Sequence, residues 1–195
     1  MKLLSTGNPK LMKGEKKGYL SFVLHLAPSD LSGYNTCPMA SAGCRAACLN
    51  TAGRGGLFKK GETTNTIQTA RIRKTRMFFE NRAEFISQLV ADIRLGIRQA
   101  EKLGMIPAFR LNGTSDIPWE NVPVNDATNI MSLFPNVQFY DYTKLPNRRD
   151  VPTNYHLTFS RSESNELDAL HILATGTMNV AVVFDNLPTK WAGVK

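Results

Sequence analysis

The sequence predicts an α/β fold, a partial TIM-barrel-like (βα) arrangement around a mostly parallel sheet of about five or six strands, with a cysteine loop after the first strand. Three observations predict it. Short runs rich in β-branched and aromatic residues recur along the chain. Segments with apolar residues at three- and four-residue spacing separate most of them. No repeat, low-complexity tract or linker-like stretch divides the 195 residues, and 42% apolar composition is enough for one substantial core, so residues 1–195 are expected to form a single domain. Strands alternating with helices imply right-handed βαβ crossovers and parallel pairing.

The elements follow in order. Residues 18–26, an apolar and aromatic run bounded by Gly14, Gly18 and Pro28, read as the first buried strand. Residues 36–61 carry Pro38 and five glycines and read as a loop, interrupted by one helical turn around 42–49. From Thr63 the period changes: Ile67, Ala70, Ile72, Met77 and Phe78 precede Asn81, and Phe85, Ile86, Leu89, Val90, Ile93 and Ile97 follow it. This predicts two helices, the second stopping at Leu103-Gly104. Residues 106–111 then read as strand, 124–134 as helix, 137–142 as strand, 155–159 as strand, 163–174 as helix and 180–184 as strand.

In parallel α/β sheets ligands sit at the carboxyl ends of the strands. Those ends carry His25, then Arg110, Asn112, Ser115 and Asp116, then Asp141, Tyr142 and Lys144, then Ser160, Arg161, Ser162 and Glu163, and lastly Asp185 and Asn186. The cysteine loop leaves the first strand at the same rim. Each group has a plain reading beside a functional one. Asn112-Gly113 is a turn signal and Asp116 a cap. Asp141, Tyr142 and Lys144 are exposed strand-end residues, or Lys144 neutralises a carboxylate or phosphate while Tyr142 acts as an acid or stacks on a base. Arg161 with its flanking serines binds phosphate, or Ser162 caps a helix whose first turn holds Glu163. Trp119 reads as a core anchor.

The motif that carries chemistry is Cys37-Pro-Met-Ala-Ser-Ala-Gly-Cys44-Arg-Ala-Ala-Cys48. Three cysteines in twelve residues are a poor disulfide framework for a chain of this size and point to a reduced compartment and a metal role. If Cys44 and Cys48 share a helical turn, their i,i+4 spacing sets the Cβ atoms about 5–6 Å apart on one face, and Gly43 lets Cys37 fold back. Small neighbours leave room for a bulky iron–sulfur cluster and let backbone N–H groups approach its sulfides. A [4Fe–4S] cluster on Cys37, Cys44 and Cys48 leaves one iron without a cysteine. Zinc completes its tetrahedron with a fourth Cys or His, and His25, His156 and His171 stand at no finger spacing, although His25 can serve if the first strand ends at the loop. Redox-active or merely buried thiols are the third alternative.

The formal net charge is +8, with basic residues concentrated at 13–17, 54–60 and 71–76. Such a balance favours polyanions, including nucleic acid, while lysines and arginines on a solvated face are the bland reading. Most of Arg71, Arg73, Lys74 and Arg76 are expected to face water. The longest apolar runs fall well short of the ~20 residues that span a bilayer, and no signal-peptide core follows Met1, so a soluble intracellular protein is expected.

Residues 4–14, Leu24-His-Leu-Ala-Pro28, the segment from Ser32 through the cysteines to Gly55, and Ala70-Arg-Ile-Arg-Lys-Thr75 resemble the phage gene product 88 family, closely over about 4–120 and more loosely beyond. The resemblance implies a virus-encoded protein acting in the host cytoplasm. Similar proteins often continue where this chain stops after Trp191, which bears on completion of a barrel. A looser likeness is to radical S-adenosylmethionine enzymes, which carry a three-cysteine cluster loop after the first strand of a partial barrel. This chain departs from their C-x3-C-x2-C spacing, and Asn112-Gly-Thr-Ser-Asp116 stands where they have Gly-Gly-Glu. That likeness implies S-adenosylmethionine as a second cofactor. The sequence thus leads to an iron–sulfur protein whose cavity, lined by the cluster, Asn112, Asp116, Tyr142, Lys144 and Arg161, takes a small molecule for Lewis-acid hydrolysis, hydration or radical chemistry. A redox or sensing protein, and a basic nucleic-acid-binding protein with structural zinc, are the other classes.

Overall fold

A computed structural model describes residues 1–6, 11–124 and 128–193. The strands are β1 (Leu4–Ser5), β2 (Tyr19–Leu24), β3 (Ile106–Arg110), β4 (Gln138–Thr143), β5 (Tyr155–Ser160) and β6 (Asn179–Ala181). They form one open sheet in the order β1-β2-β3-β4-β5-β6. Only β1 is antiparallel to its neighbour. The mixed, mostly parallel α/β class predicted by the alternation of periods is therefore found, in a sheet that does not close.

One row of register partners runs across four strands: Phe22 opposite Phe109, Phe109 opposite Phe139, and Phe139 opposite Tyr155. The first two ring pairs stand 5.1 and 5.8 Å apart. Period-two alternation thus puts the largest side chains of the sheet in one stripe. Helix α4 (Arg82–Lys102) covers the β2–β3 part of it with the apolar face of Phe85, Ile86, Leu89 and Ile93, all buried. Gly96 is the point of contact, since a Cβ there would lie 3.0 Å from the Phe109 ring and 3.1 Å from that of Phe22. Helix α3 (Thr66–Glu80) precedes it, capped by Asn65, whose Oδ1 accepts from the Gln68 N–H at 2.9 Å. Asn81, at φ −131° and ψ 58°, separates the two helices, and Gly104 at φ +62° ends the second.

Several expectations are corrected. The polar N-terminus supplies a sixth strand: the Leu3 and Leu4 N–H groups donate to the buried Asp92 carboxylate at 2.6 and 3.0 Å, which seats both leucines in the core. A short helix α1 (Met12–Glu15) follows it. The helix expected over 124–134 is reduced to one turn, α5 (Ile130–Leu133), capped by Asn129; residues 125–127 of that expectation lie outside the described residues. Helix α6 (Glu166–Thr175) begins three residues later than expected, at Asn165 rather than Ser162, and the Asn165 side chain accepts from the Ser162 N–H at 2.6 Å. The last strand covers 179–181 only. Val183, 89% exposed, has the β-propensity of a strand and no partner to pair with. No helix among the described residues is long and apolar enough to cross a membrane.

Replacing Gly96 by Val drives a branched side chain into the Phe22–Phe109 contact. Despite a gain in helix propensity, overpacking should lower stability by about 1–3 kcal/mol, read as a lower denaturant midpoint at unchanged slope.

Candidate functional site at the carboxyl rim

The chain that leaves β2 is sewn to two neighbours before it reaches the first cysteine. The Ala27 N–H donates to Thr75 Oγ1 of α3 at 2.8 Å, and Thr36 Oγ1 donates back to the Ala27 carbonyl at 2.7 Å. The Asp116 N–H donates to the Thr36 carbonyl at 2.8 Å, and Thr114 Oγ1 to that of Leu26 at 2.5 Å. The loop after β3 and the start of the cysteine loop are thereby one structure. Cys37 stands at their junction, its Sγ 3.8 Å from the Thr114 carbonyl. Burial pushes its thiol up, and a hydrogen bond from the Ser29 backbone and the Thr36 hydroxyl oppose this.

Cys44 lies on the short helix α2 (Ala42–Ala46), whose cap Ser41 accepts from the Cys44 N–H at 3.1 Å. The expectation that Cys44 and Cys48 share a helical turn is corrected: α2 ends at Ala46, and Cys48, at φ −62° and ψ 133°, caps the following 3-10 turn Leu49–Thr51. The distal part of the loop is then clamped at both sides of the sheet. Toward β5, the Gly43 N–H donates to Glu163 Oε1 at 2.9 Å. Toward α3, the Arg71 guanidinium donates to the carbonyl and side-chain oxygens of buried Asn50 at 3.0 and 2.6 Å. Gly55 is demanded by packing, because a Cβ would lie 2.4 Å from the Asn50 carbonyl oxygen. The loop therefore spans the carboxyl rim from α3 to the segment after β5.

All three cysteines are free and half-buried. Cys37 and Cys48 lie within electrostatic reach of each other, Cys37 also of Asp116, and Cys48 of Arg71. Among the described residues no three His, Cys, Asp or Glu side chains converge closely enough to hold a single metal ion.

Beneath the loop lies a polar layer. Asp141, expected as an exposed strand-end residue, is fully buried. Its carboxylate accepts from the Leu111 and Asn112 N–H groups at 3.3 and 2.8 Å and from the Tyr155 hydroxyl at 2.9 Å, with Arg110 Nε at 3.7 Å. Burial pushes its carboxyl up to about 7, against the pull of Arg110 and these donors. Asn112 is also buried: its Oδ1 accepts from Ser115, Ile117 and the Trp119 indole, and its Nδ2 donates to the Ile117 carbonyl, so the amide shapes the loop from within. Trp119 is the core anchor expected of it.

Asp116 accepts from the Lys144 N–H at 2.8 Å through Oδ2, while its Oδ1 is buried without a hydrogen bond, 3.9 Å from Arg148. Burial raises its carboxyl as well. Lys144 Nζ donates to the Ser160 carbonyl at 3.1 Å. Tyr142 is 45% exposed beneath the Arg110 guanidinium, 5.0 Å from its ring. Arg161 pairs with Glu166, and its Nε is buried without a hydrogen bond.

Two residues escaped the sequence reading. Arg148 and Glu120 form a bidentate ion pair with both side chains almost fully buried, joining the turn Trp119–Asn121 to the end of β4. Their separation of 28 positions leaves no local pattern to detect. Of the basic helix, Arg73 and Arg76 face solvent, but Arg71 and Lys74 turn inward toward His25.

A singly wound, mostly parallel α/β sheet with a clamped three-cysteine loop over its carboxyl rim is the class this architecture defines. The chain matches the description Gene product 88 over residues 2–193 and belongs to that family of phage proteins. No curated protein and no solved structure matches it, so the looser radical-enzyme likeness gains no support.

Asp141 has a folded pKa of about 7 against an unfolded value of 3.8, so between these pH values the native state holds a proton that the unfolded chain has released. Its contribution to stability is therefore present at low pH and lost as pH rises toward 7. The stability of the wild type relative to Asp141→Asn should fall by a few kcal/mol over that window, at about 1.4 kcal/mol per pKa unit, measured by urea unfolding at successive pH values.

Proposed function

We propose that this is a phage iron–sulfur protein that binds a [4Fe–4S] cluster through Cys37, Cys44 and Cys48 and acts on a small molecule at the cluster's open iron. The observation that carries the reading is the clamped loop itself: three free, half-buried thiols lie on a segment of small residues held over a polar rim by Asn50–Arg71 and Gly43–Glu163. The donor set suits soft iron. A cluster takes its thiolates at three separate corners and so asks for a wider triangle than one zinc ion does, in keeping with sulfurs that do not converge on a single point.

When bound, such a cluster supplies a Lewis-acidic iron or an electron donor. The residues proposed to line that position stand on the same rim. Asp116 lies within electrostatic reach of Cys37 with one carboxylate oxygen free of hydrogen bonds, Tyr142 stands exposed under Arg110, and Lys144 reaches toward β5. A curl of the sheet into part of a barrel belongs to the same proposal. Consecutive strand order without reversal puts all the right-handed crossovers on one side and leaves the other open, as a barrel interior is.

Anaerobically purified protein should contain close to four iron and four sulfide per chain, with a paramagnetic signal after dithionite that each of Cys37→Ser, Cys44→Ser and Cys48→Ser abolishes. One equivalent of zinc without iron overturns the proposal. A change in that signal on adding S-adenosylmethionine assigns that molecule to the open iron.

A further inference from the structure

Basic side chains collect on one side of the cysteine loop, and their structural contacts leave donors unused. Arg110 ends β3 opposite Val23 of β2, on the face away from Phe109 and α4. His25 follows two residues after Val23 on the same side, held by the close approach of Gly113, where a Cβ would lie 2.8 Å from the imidazole Cδ2. Arg71 reaches the group from α3, and Lys74 of the same helix stands behind it.

Few acids face this group. Lys74 is occupied by the Leu3 carbonyl at 2.6 Å and faces Asp92. Among the described residues Arg71 has no carboxylate partner; its terminal nitrogen is bound to the uncharged Asn50, which orients the guanidinium, and its Nε is buried with no hydrogen bond. Arg110 Nε is likewise buried and unbonded, since the nearest Asp141 oxygen, at 3.7 Å, is beyond hydrogen-bond reach. That carboxylate already accepts from Leu111, Asn112 and Tyr155.

A buried donor left unpaired costs free energy, and two guanidinium Nε groups left so, both within electrostatic reach of His25, are accounted for by an acceptor that a ligand brings. Guanidinium groups match the paired oxygens of carboxylate and phosphate. We propose that Arg71, Arg110 and His25 form a receptor for the carboxylate or phosphate group of a small-molecule ligand, on the side of the cysteine loop where Cys48 stands.

The inference names the substrate class for the site proposed above and rests on that reading for where the rest of the ligand goes. The local field agrees with it. Burial and then the charges of Arg71, Arg110 and Lys74 lower His25 to about 4, so it meets the ligand as a neutral imidazole that donates one hydrogen bond. With Tyr142 lying under Arg110, the bound group has one aromatic wall. The remainder of the ligand would extend along the rim toward Cys37 and Asp116, which lie within electrostatic reach of each other.

The test is calorimetric titration of the full chain, as purified anaerobically, with inorganic phosphate and separately with succinate at low salt, iron being measured in every sample. Saturable binding of one anion per chain is expected. Arg71→Gln and Arg110→Gln should each weaken it by at least about tenfold. Arg110→Lys, which keeps the charge and the fold, should weaken it less, and the exposed control Arg98→Gln should leave it unchanged. Phosphate binding alone assigns a phosphate-bearing ligand, and succinate binding alone a carboxylate. If neither anion binds saturably, or if both glutamine variants bind like the wild type, the receptor is overturned. Iron present without anion binding rejects the receptor and keeps the cluster; anion binding without iron does the reverse.

Discussion

Asp141 sits where three strands and a loop have to agree. Its carboxylate accepts the Leu111 and Asn112 N–H groups just past the end of β3, belongs itself to β4, and takes the hydroxyl of Tyr155 from β5. A parallel sheet gives its strand ends no hairpin to hold them in register, so the residues that leave them must be fixed by other contacts. Here one buried acceptor does this for β3, β4 and β5 together. Asn112, positioned by that carboxylate, then folds the 112–119 loop around its own amide. The cysteine loop rests on that folded loop through Thr36–Asp116 and Leu26–Thr114.

Energetically the aromatic stripe and the carboxyl rim do different work. The stripe Phe22, Phe109, Phe139 and Tyr155, its β2–β3 part beneath α4, is buried with the core, and its burial stabilises the sheet. The carboxyl rim keeps polar and charged groups at a cost: a buried Asp141 carboxyl held near neutrality, a buried Asp116 oxygen with Arg148 at 3.9 Å and no hydrogen bond, and buried Nε groups of Arg71, Arg110 and Arg161 without acceptors. Groups kept in that condition beside three free thiols are the ground on which the proposed site rests.

Much of the fold was legible because its long elements have clean periods. The 3.6-residue spacing of Phe85, Ile86, Leu89 and Ile93 locates α4, and the Leu103-Gly104 stop ends it, as read. The failures are elements whose stability is borrowed. Strand β1 exists because Asp92, nearly ninety residues away, receives its N–H groups. Residues 182–184 are apolar enough for a strand but pair with none, and Phe184 packs edge-on against Trp191 instead. Cys48 lies beyond the end of α2 because the helix stops at Ala46 and the chain turns to place Asn50 under Arg71.

What the sequence determined by itself was the α/β class, the order of the main strands and the crowding of three thiols into one glycine- and alanine-rich loop, all consequences of local spacing. Tertiary structure alone decided that Asp141 and Asn112 are interior braces, that Arg148 and Glu120 meet, and that Arg71 turns inward to stand with His25 and Arg110 while Arg73 faces water. The physical reason is that burial and charge pairing depend on distances through space, and the helix and strands carrying these groups are joined by dozens of residues that encode no such distance.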